Sequence, residues 1–365
     1  MPASEGPRRH ASTLPRPVAG ETWAPVGDAV VISRVNDQWA QSAVPVQDLI
    51  SARHANTPAN IIFISTAKSQ STTNTRLQEL LAADFRVPSW FWSAKVQDAS
   101  GYFHASGGDS VVTVSHFLVK YITNSKDSPP PIEPYGWHTP SLVTTWEPGK
   151  LTLLCFNFPA EAQKSFKETL LAARLTHLIG HPFAVHSLVL DHIVDLHDTA
   201  IWKFRDAVRL QEQSRPTLQH PKPDYAGLHD LARHVMHASE VSEIALNVID
   251  SILQEVSAFE ITPAAQSTTS TNIAAEIRRH RSILQCINRR SQALEERLRN
   301  EINLAFHIAS EHDSLIQAQI AHAANIDSRA MKTISILGMV FLPGTFISAS
   351  QYQHLLMIDT IPLSQ

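Results

Sequence analysis

Glycine is scarce in this chain, 12 of 365 residues, and it never falls into the patterns that build phosphate-binding loops. There is no GxGxxG, no GxxxxGK followed by Ser or Thr, and no GxSxG elbow. Dinucleotide binding, P-loop chemistry and α/β-hydrolase catalysis therefore lack the backbone they need. Gly107-Gly108-Asp109 reads as a turn, not a phosphate loop. Cysteine is scarcer still. Cys155 and Cys286 lie far apart, and neither sits in a CxxC or Cys/His zinc spacing. That argues against a disulfide framework and fits a reducing cytosol. The formal charge is −4 and the isoelectric point near 6.5. No basic excess is available to neutralise phosphates, so nucleic acid is not expected as a partner. Residues 1–20 carry Arg8, Arg9 and Arg16 among prolines, without the continuous apolar core of a secretory signal.

What is present divides the chain. Residues 1–27 hold five prolines and no period, and are expected to be disordered. From Asp28 onward, short β-branched runs recur: Ala29–Val35, Ile61–Ser65, Val111–Thr123, Leu142–Trp146 and Leu151–Phe156. The last two flank Glu147-Pro148-Gly149-Lys150, a turn signal. These runs predict a mixed α/β domain over residues 28–157 with a mostly antiparallel sheet. The proline-rich stretch Asn124–Pro140 reads as a loop. Residues 158–271 read as helical: Glu161–Leu178, then Pro182–Gln213 with Pro182 in its first turn, then Tyr225–Phe259. The fold class is therefore α+β.

Between Pro263 and Gly338 there is neither glycine nor proline. Ile273, Ile277, Leu284, Ile287, Leu294, Leu298, Ile302, Ala305 and Ile308 recur at helical spacing, and Leu315, Ile320, Ala323, Ala330 and Ile334 carry the stripe onward. One continuous helix is predicted over 272–337, and from Asn272 to Ile334 it would be roughly 90 Å long. A stripe of that length would leave an exposed apolar seam on a monomer, so self-association through this stalk is expected. From Ile334 to Ala349 no charge occurs, while Arg329 and Lys332 lie just before. This 16-residue run falls below the roughly 20 residues that span a bilayer. It is read as a partial first transmembrane segment over 334–349, followed by an irregular tail over 350–365.

The run SRAMKTISILGMVFLPGTFIS, Ser328–Ser348, resembles the entry to the first membrane helix of CorA-like divalent-metal transporters, particularly the large fungal branch. HPFAVHSLVLDHIVDLHDTAIWKFRDAVRLQEQSR at His181–Arg215 and LHDLARHVMHASEVSEIALNVIDSIL at Leu228–Leu253 are similar to the same branch. The resemblance covers roughly residues 90–348. It implies a metal ion transport subunit in a membrane, with its N-terminal bulk in the cytoplasm. It also implies a homo-oligomer, a pentamer, whose long helices line a path for hydrated Mg2+ or a similar divalent cation as cargo. Ile334, Gly338, Leu342 and Thr345 fall where the family lines its pore, with Leu342 at the apolar constriction and Thr345 offering hydroxyls. The family's Gly-Met-Asn signature and second membrane helix do not occur in these residues, so the chain reads as cut short within its first transmembrane helix. The alternative is a soluble helical interaction or regulatory protein derived from the same cytoplasmic domain.

No motif supports an enzyme, a cofactor or a resident metal. Asp230, His234 and His237 lie at i, i+4 and i+7, but such triples are common on polar helix faces, and no protein metal site is expected. His177 and His181, separated by Gly180 and followed by Pro182, are not expected to share a helix face. The arginines Arg278, Arg279, Arg281, Arg289, Arg290, Arg297 and Arg299 leave two readings open. They form a solvated face, or they meet acids of the preceding helices, where Asp191, Asp195, Asp198, Glu240 and Glu243 are available.

Overall fold

The computed structural model describes residues 22–35, 38–49, 57–69, 73–107, 110–123, 135–172, 175–215, 217, 223–261 and 271–358. Gly108 and Asp109 lie outside them. The chain divides into two compact units, Met1–Gln213 with Ala226–Arg299, and Ser214–Tyr225 with Asn300–Gln365.

The first unit holds a seven-stranded sheet. Its strands are β1 (Thr22–Val35), β2 (Gln38–Pro45), β3 (Ala59–Ser69), β4 (Gly101–Ser106), β5 (Val111–Phe117), β8 (Ser141–Glu147) and β9 (Lys150–Phe156), in the order β2-β1-β3-β9-β8-β5-β4. β6 (Val119–Ile122) and β7 (Tyr135–His138) pair separately as a two-stranded sheet. Every pairing is antiparallel except β3 with β9. That central pair is covered on both faces, so it reads as continuous apolar residues instead of alternating ones. Ile62, Ile64, Leu154 and Phe156 face a core shared with Leu81 of α1 (Thr73–Phe85), Phe91 and Trp92. Phe63 faces the other way, with its ring 6.0 Å from both Phe158 and Phe166, the latter on α3 (Ala160–Ala172). The turn Pro148-Gly149 joins β8 to β9, with Gly149 at φ +80°, which glycine adopts without cost.

A short helix α2 (Ala94–Gln97) precedes β4, and α4 (Leu175–Gly180) follows α3. The helical layer is α5 (Ala184–Gln213), α6 (Tyr225–Glu260) and the first part of α7 (Thr271–Ile358). The pairs His197–Ser242 and His181–Phe259 show α5 and its lead-in antiparallel to α6. Asp191–Arg279, Asp198–Arg290 and Glu212–Arg297 show α5 parallel to α7.

The helices Ala184–Gln213 and Tyr225–Glu260 match expectation within two residues at each end. Other boundaries move. β1 begins at Thr22, inside the stretch expected to be disordered, because Trp23–Val26 pair with Ser65–Lys68 of β3. β7 lies inside the expected loop, held by aromatic contacts that a proline count does not show. Glu161–Leu178 is two helices instead of one. β2 and β4 are edge strands with mostly exposed or half-buried residues, so they carry little alternation. The long helix does not stop near 349. It continues to Ile358, since Gly344 is followed by no further breaker until Pro362.

Two consequences can be measured. Gly101 has φ +156°, and a Cβ there would lie 2.8 Å from Ile244 Cγ2 and 3.3 Å from the His116 carbonyl. Gly101→Ala should therefore cost about 1–3 kcal/mol by forcing β4 away from α6, read as a lower thermal midpoint. His116, His186 and His197 are buried, and burial lowers each imidazole from 6.5 to about 4. The unfolded chain takes up these protons below pH 6.5 and the folded chain does not. Stability should thus be full above pH 6.5 and fall down to about pH 4, by up to about 1.4 kcal/mol per pH unit for each histidine. Denaturant midpoints that stay level between pH 7 and pH 4.5 would contradict this.

Candidate functional site

Ile273, Ile277, Leu284, Ile287, Leu294 and Leu298 are all buried within the first unit. The stripe on the start of α7 is therefore covered by the chain's own fold and is not a free seam. Its flanks carry the ion pairs. Arg290 Nη1 donates to Asp198 at 2.9 Å, and Arg297 binds Glu212 through two contacts of 2.8 and 2.6 Å. Arg281 grips Asp250 with two nitrogens, and Arg279 lies 3.6 Å from Asp191. Four of the seven arginines thus meet acids of α5 and α6, and Arg299 bonds Glu295 on its own helix at 3.0 Å. The reading in which they face acidic neighbours holds for those four. Trp202 lies between Arg205 and Arg290, whose guanidinium carbons are 4.5 and 4.4 Å from its ring centroid. The sequence pattern gave no sign of this stack.

In the second unit, Arg215 reaches Glu301 through its Nε at 2.8 Å, and the Tyr225 hydroxyl donates to the Ala305 carbonyl at 3.1 Å. From Asp313 to Gln353 every residue of α7 is exposed except Gly338, which is half-buried. The helix stays uncharged from Thr333 to Ile358, 26 residues. At 1.5 Å per residue that is about 39 Å, longer than the hydrocarbon core of a bilayer. The segment is therefore not too short to span, as the sequence reading has it, because the expected tail prolongs the helix. It is the one helix among the described residues that is long and apolar enough to cross a membrane.

Ile334, Gly338, Leu342 and Thr345 all lie on this segment, and at about 100° per residue they share one face about 80° wide. Ile334 and Leu342 are 66% and 71% exposed. The Thr345 hydroxyl donates to the carbonyls of Phe341 and Leu342, at 2.9 and 3.0 Å. With its proton turned into the helix, its oxygen lone pairs point outward. Pro343, inside the helix, has no N–H for the Met339 carbonyl.

Asp230, His234 and His237 are engaged with other side chains. The His234 ring stacks on Tyr135 at 3.7 Å, His237 lies against Trp137 at 5.8 Å, and Arg233 bonds Asp230. No cluster of three or more metal-ligating side chains occurs among the described residues. The same aromatic group surrounds Lys120, 1% exposed, with its ammonium 4.2 Å from the Trp137 centroid. Sequence reasoning misses this cage because Tyr135 and Trp137 sit in what reads as a loop.

No protein-family model matches the chain. Among curated proteins, notoamide biosynthesis cluster protein M' of Aspergillus versicolor is 28% identical over 261 residues, covering 66% of this chain and 54% of its own length. The chain thus spans about half the length of that relative. Among solved structures, the full-length CmaX protein matches with a TM-score of 0.51 at 15% identity, over 89% of this chain and 85% of that one. The complete CorA magnesium transporter of Methanocaldococcus jannaschii gives 0.48 at 9% identity, over 93% and 89%. The likeness to CmaX is one of fold: a mixed sheet domain, then helices, then a very long C-terminal helix.

The two parts of the stripe should respond differently to the same change. Leu298→Asp puts an unpaired carboxylate into a buried site and should cost about 3 kcal/mol or more, read as loss of the cooperative melt by circular dichroism. Leu315→Asp, at an exposed position, should leave that melt in place and weaken self-association in detergent, measured by light scattering.

Proposed function

We propose that this chain is a subunit of a CorA-like divalent metal ion transporter, with Mg2+ or a similar cation as cargo, and that it is not an enzyme. One observation carries the reading. A single helix begins inside the folded α/β unit and ends in 26 uncharged residues, Thr333–Ile358, which follow Met331-Lys332 and include FLPGTF; as far as Gln353 all of them but half-buried Gly338 are exposed. Arg329 and Lys332 stand just before those residues, where the cytoplasmic flank of a membrane helix carries its positive charge. The first unit then lies in the cytoplasm. The chain assembles with copies of itself, as a pentamer by resemblance, through the exposed part of α7. In that assembly Ile334, Gly338, Leu342 and Thr345 line the path. Leu342 forms the apolar constriction that gates by excluding water, and the outward lone pairs of Thr345 offer a hydroxyl ring to a hydrated cation.

The test has two arms. The full chain should resist carbonate extraction from membranes, and a chain ending at Ser328 should be released. Release of the full chain would sink the membrane reading and favour the soluble interaction protein. Grafting Ser328–Ser348 into the first membrane helix of a CorA transporter should preserve Mg2+ entry. A folded, inserted chimaera without flux would sink the pore assignment. No Gly-Met-Asn triplet occurs in these 365 residues, so liposomes holding this chain alone should admit no Mg2+.

A further inference from the structure

A cleft of about 480 Å³ opens in the first unit between the β6–β7 sheet, the start of α3 and the middle of α5. Tyr121 and His138 form one wall, with rings stacked 3.9 Å apart and 7° from parallel. The wall depends on a glycine. Gly136 is the cross-strand partner of Tyr121, and a Cβ there would fall 2.6 Å from the Tyr121 ring. Leu196 and Ala200 add apolar surface, and Asp195, Glu161 and Lys203 supply charge.

The acids of α5 explain what is missing. Asp191, Asp195 and Asp198 lie at i, i+4 and i+7. Asp191 meets Arg279 and Asp198 meets Arg290. Asp195, between them, makes no ion pair among the described residues. Partial burial, then the Asp191 carboxylate, hold its carboxyl above the usual range against an opposing pull from His192, with Asp198 adding less. Lys203 does not answer it, since its ammonium turns toward the Ile122 carbonyl at 3.5 Å. His138 adds no positive charge, because burial and Lys203 lower it to about 4. Asp195 and Glu161 against Lys203 leave the cleft one negative charge at neutral pH.

We propose that this cleft binds a small organic ammonium with an aromatic or apolar body, its charge on Asp195 and its body against Tyr121. The volume lies in the range of small-molecule sites, and apolar walls with a few polar groups suit such a ligand. They suit a bare divalent ion poorly, because it asks for six or more oxygen ligands. An aromatic face beside a carboxylate is also a favourable seat for a cation. This site is separate from the transport reading and stands or falls without it.

The probe is phenethylamine, titrated calorimetrically into the full chain in detergent micelles. One saturable site is expected. Phenylacetate, with the same body and the opposite charge, should bind at least about tenfold more weakly, as should phenethylamine to Asp195→Asn, a loss of about 1.4 kcal/mol. Millimolar Mg2+ should not displace the amine. No saturable binding, equal binding of phenylacetate, displacement by Mg2+, or unchanged affinity in a folded Asp195→Asn chain would overturn the proposal. If Asp195→Asn fails to fold, Glu161→Gln, at an exposed first-turn position, should weaken binding about threefold, and an unchanged affinity there overturns it equally.

Discussion

Burial of one stripe of α7 between α5 and α6 is the contact on which the first unit depends. The side chains from Ile273 to Leu298 are large, apolar and fully covered, and each contributes on the order of 1.5–3 kcal/mol relative to exposure. The arginines beside the stripe act differently. Their partners are a third to a half exposed in most cases, so each pair contributes little net energy, about 1 kcal/mol or less. What they contribute is selection of neighbour and direction. A parallel α5 and an antiparallel α6 both present acids where α7 presents arginine.

The same helix then changes environment without changing conformation. As far as Arg299 its period of apolar residues matches a set of buried positions. Past Asp313 the period continues, but almost nothing covers it. From Thr333 the polar face disappears as well. One secondary structure thus runs from covered positions to exposed ones and then loses its polar face. Neither glycine nor proline is needed at the transitions, which is why the helix runs unbroken across them.

Much of this was legible in the chain. Long helices with strong periods declare themselves, and Ala184–Gln213, Tyr225–Glu260 and the start of the unbroken run at Thr271 were readable to within two residues, while the end of that run, expected at 337, lies at Ile358. Four of the expected strand runs hold one strand each, and the fifth, Val111–Thr123, holds two, β5 and β6, which pair in different sheets. What escaped has a common physical cause: it is held by tertiary contacts and not by local pattern. β7 is fixed by Tyr135 on His234 and by Lys120 under Trp137, partners nearly a hundred residues away or across a proline-rich stretch. Edge strands β2 and β4 bury too little to alternate. The seam of α7 was visible as a seam, but its occupant was not. Periodicity says that a face will be covered, and it cannot say whether another copy or the same chain covers it. The partners of the arginines were foreseeable in kind from the acids of α5, though not in register. The segment after Ser348 was misread because Gln, Tyr and His look like the end of an apolar run, while none of them ends a helix.

The parallel pairing of α5 with α7 sets how the long helix can move. Along α5 the acids Asp191, Asp198 and Glu212 stand at one set of spacings, and Arg279, Arg290 and Arg297 stand at another along α7. A slide of one helical turn, about 5.4 Å, parts all three pairs, and depending on its direction it carries Arg279 or Arg290 toward Asp195, which stands one turn from both Asp191 and Asp198. It also moves each buried leucine and isoleucine out of its packed site. Axial motion at this junction therefore exchanges one ion pair while it gives up two others and the buried packing, so the base of the helix resists being drawn along its own axis.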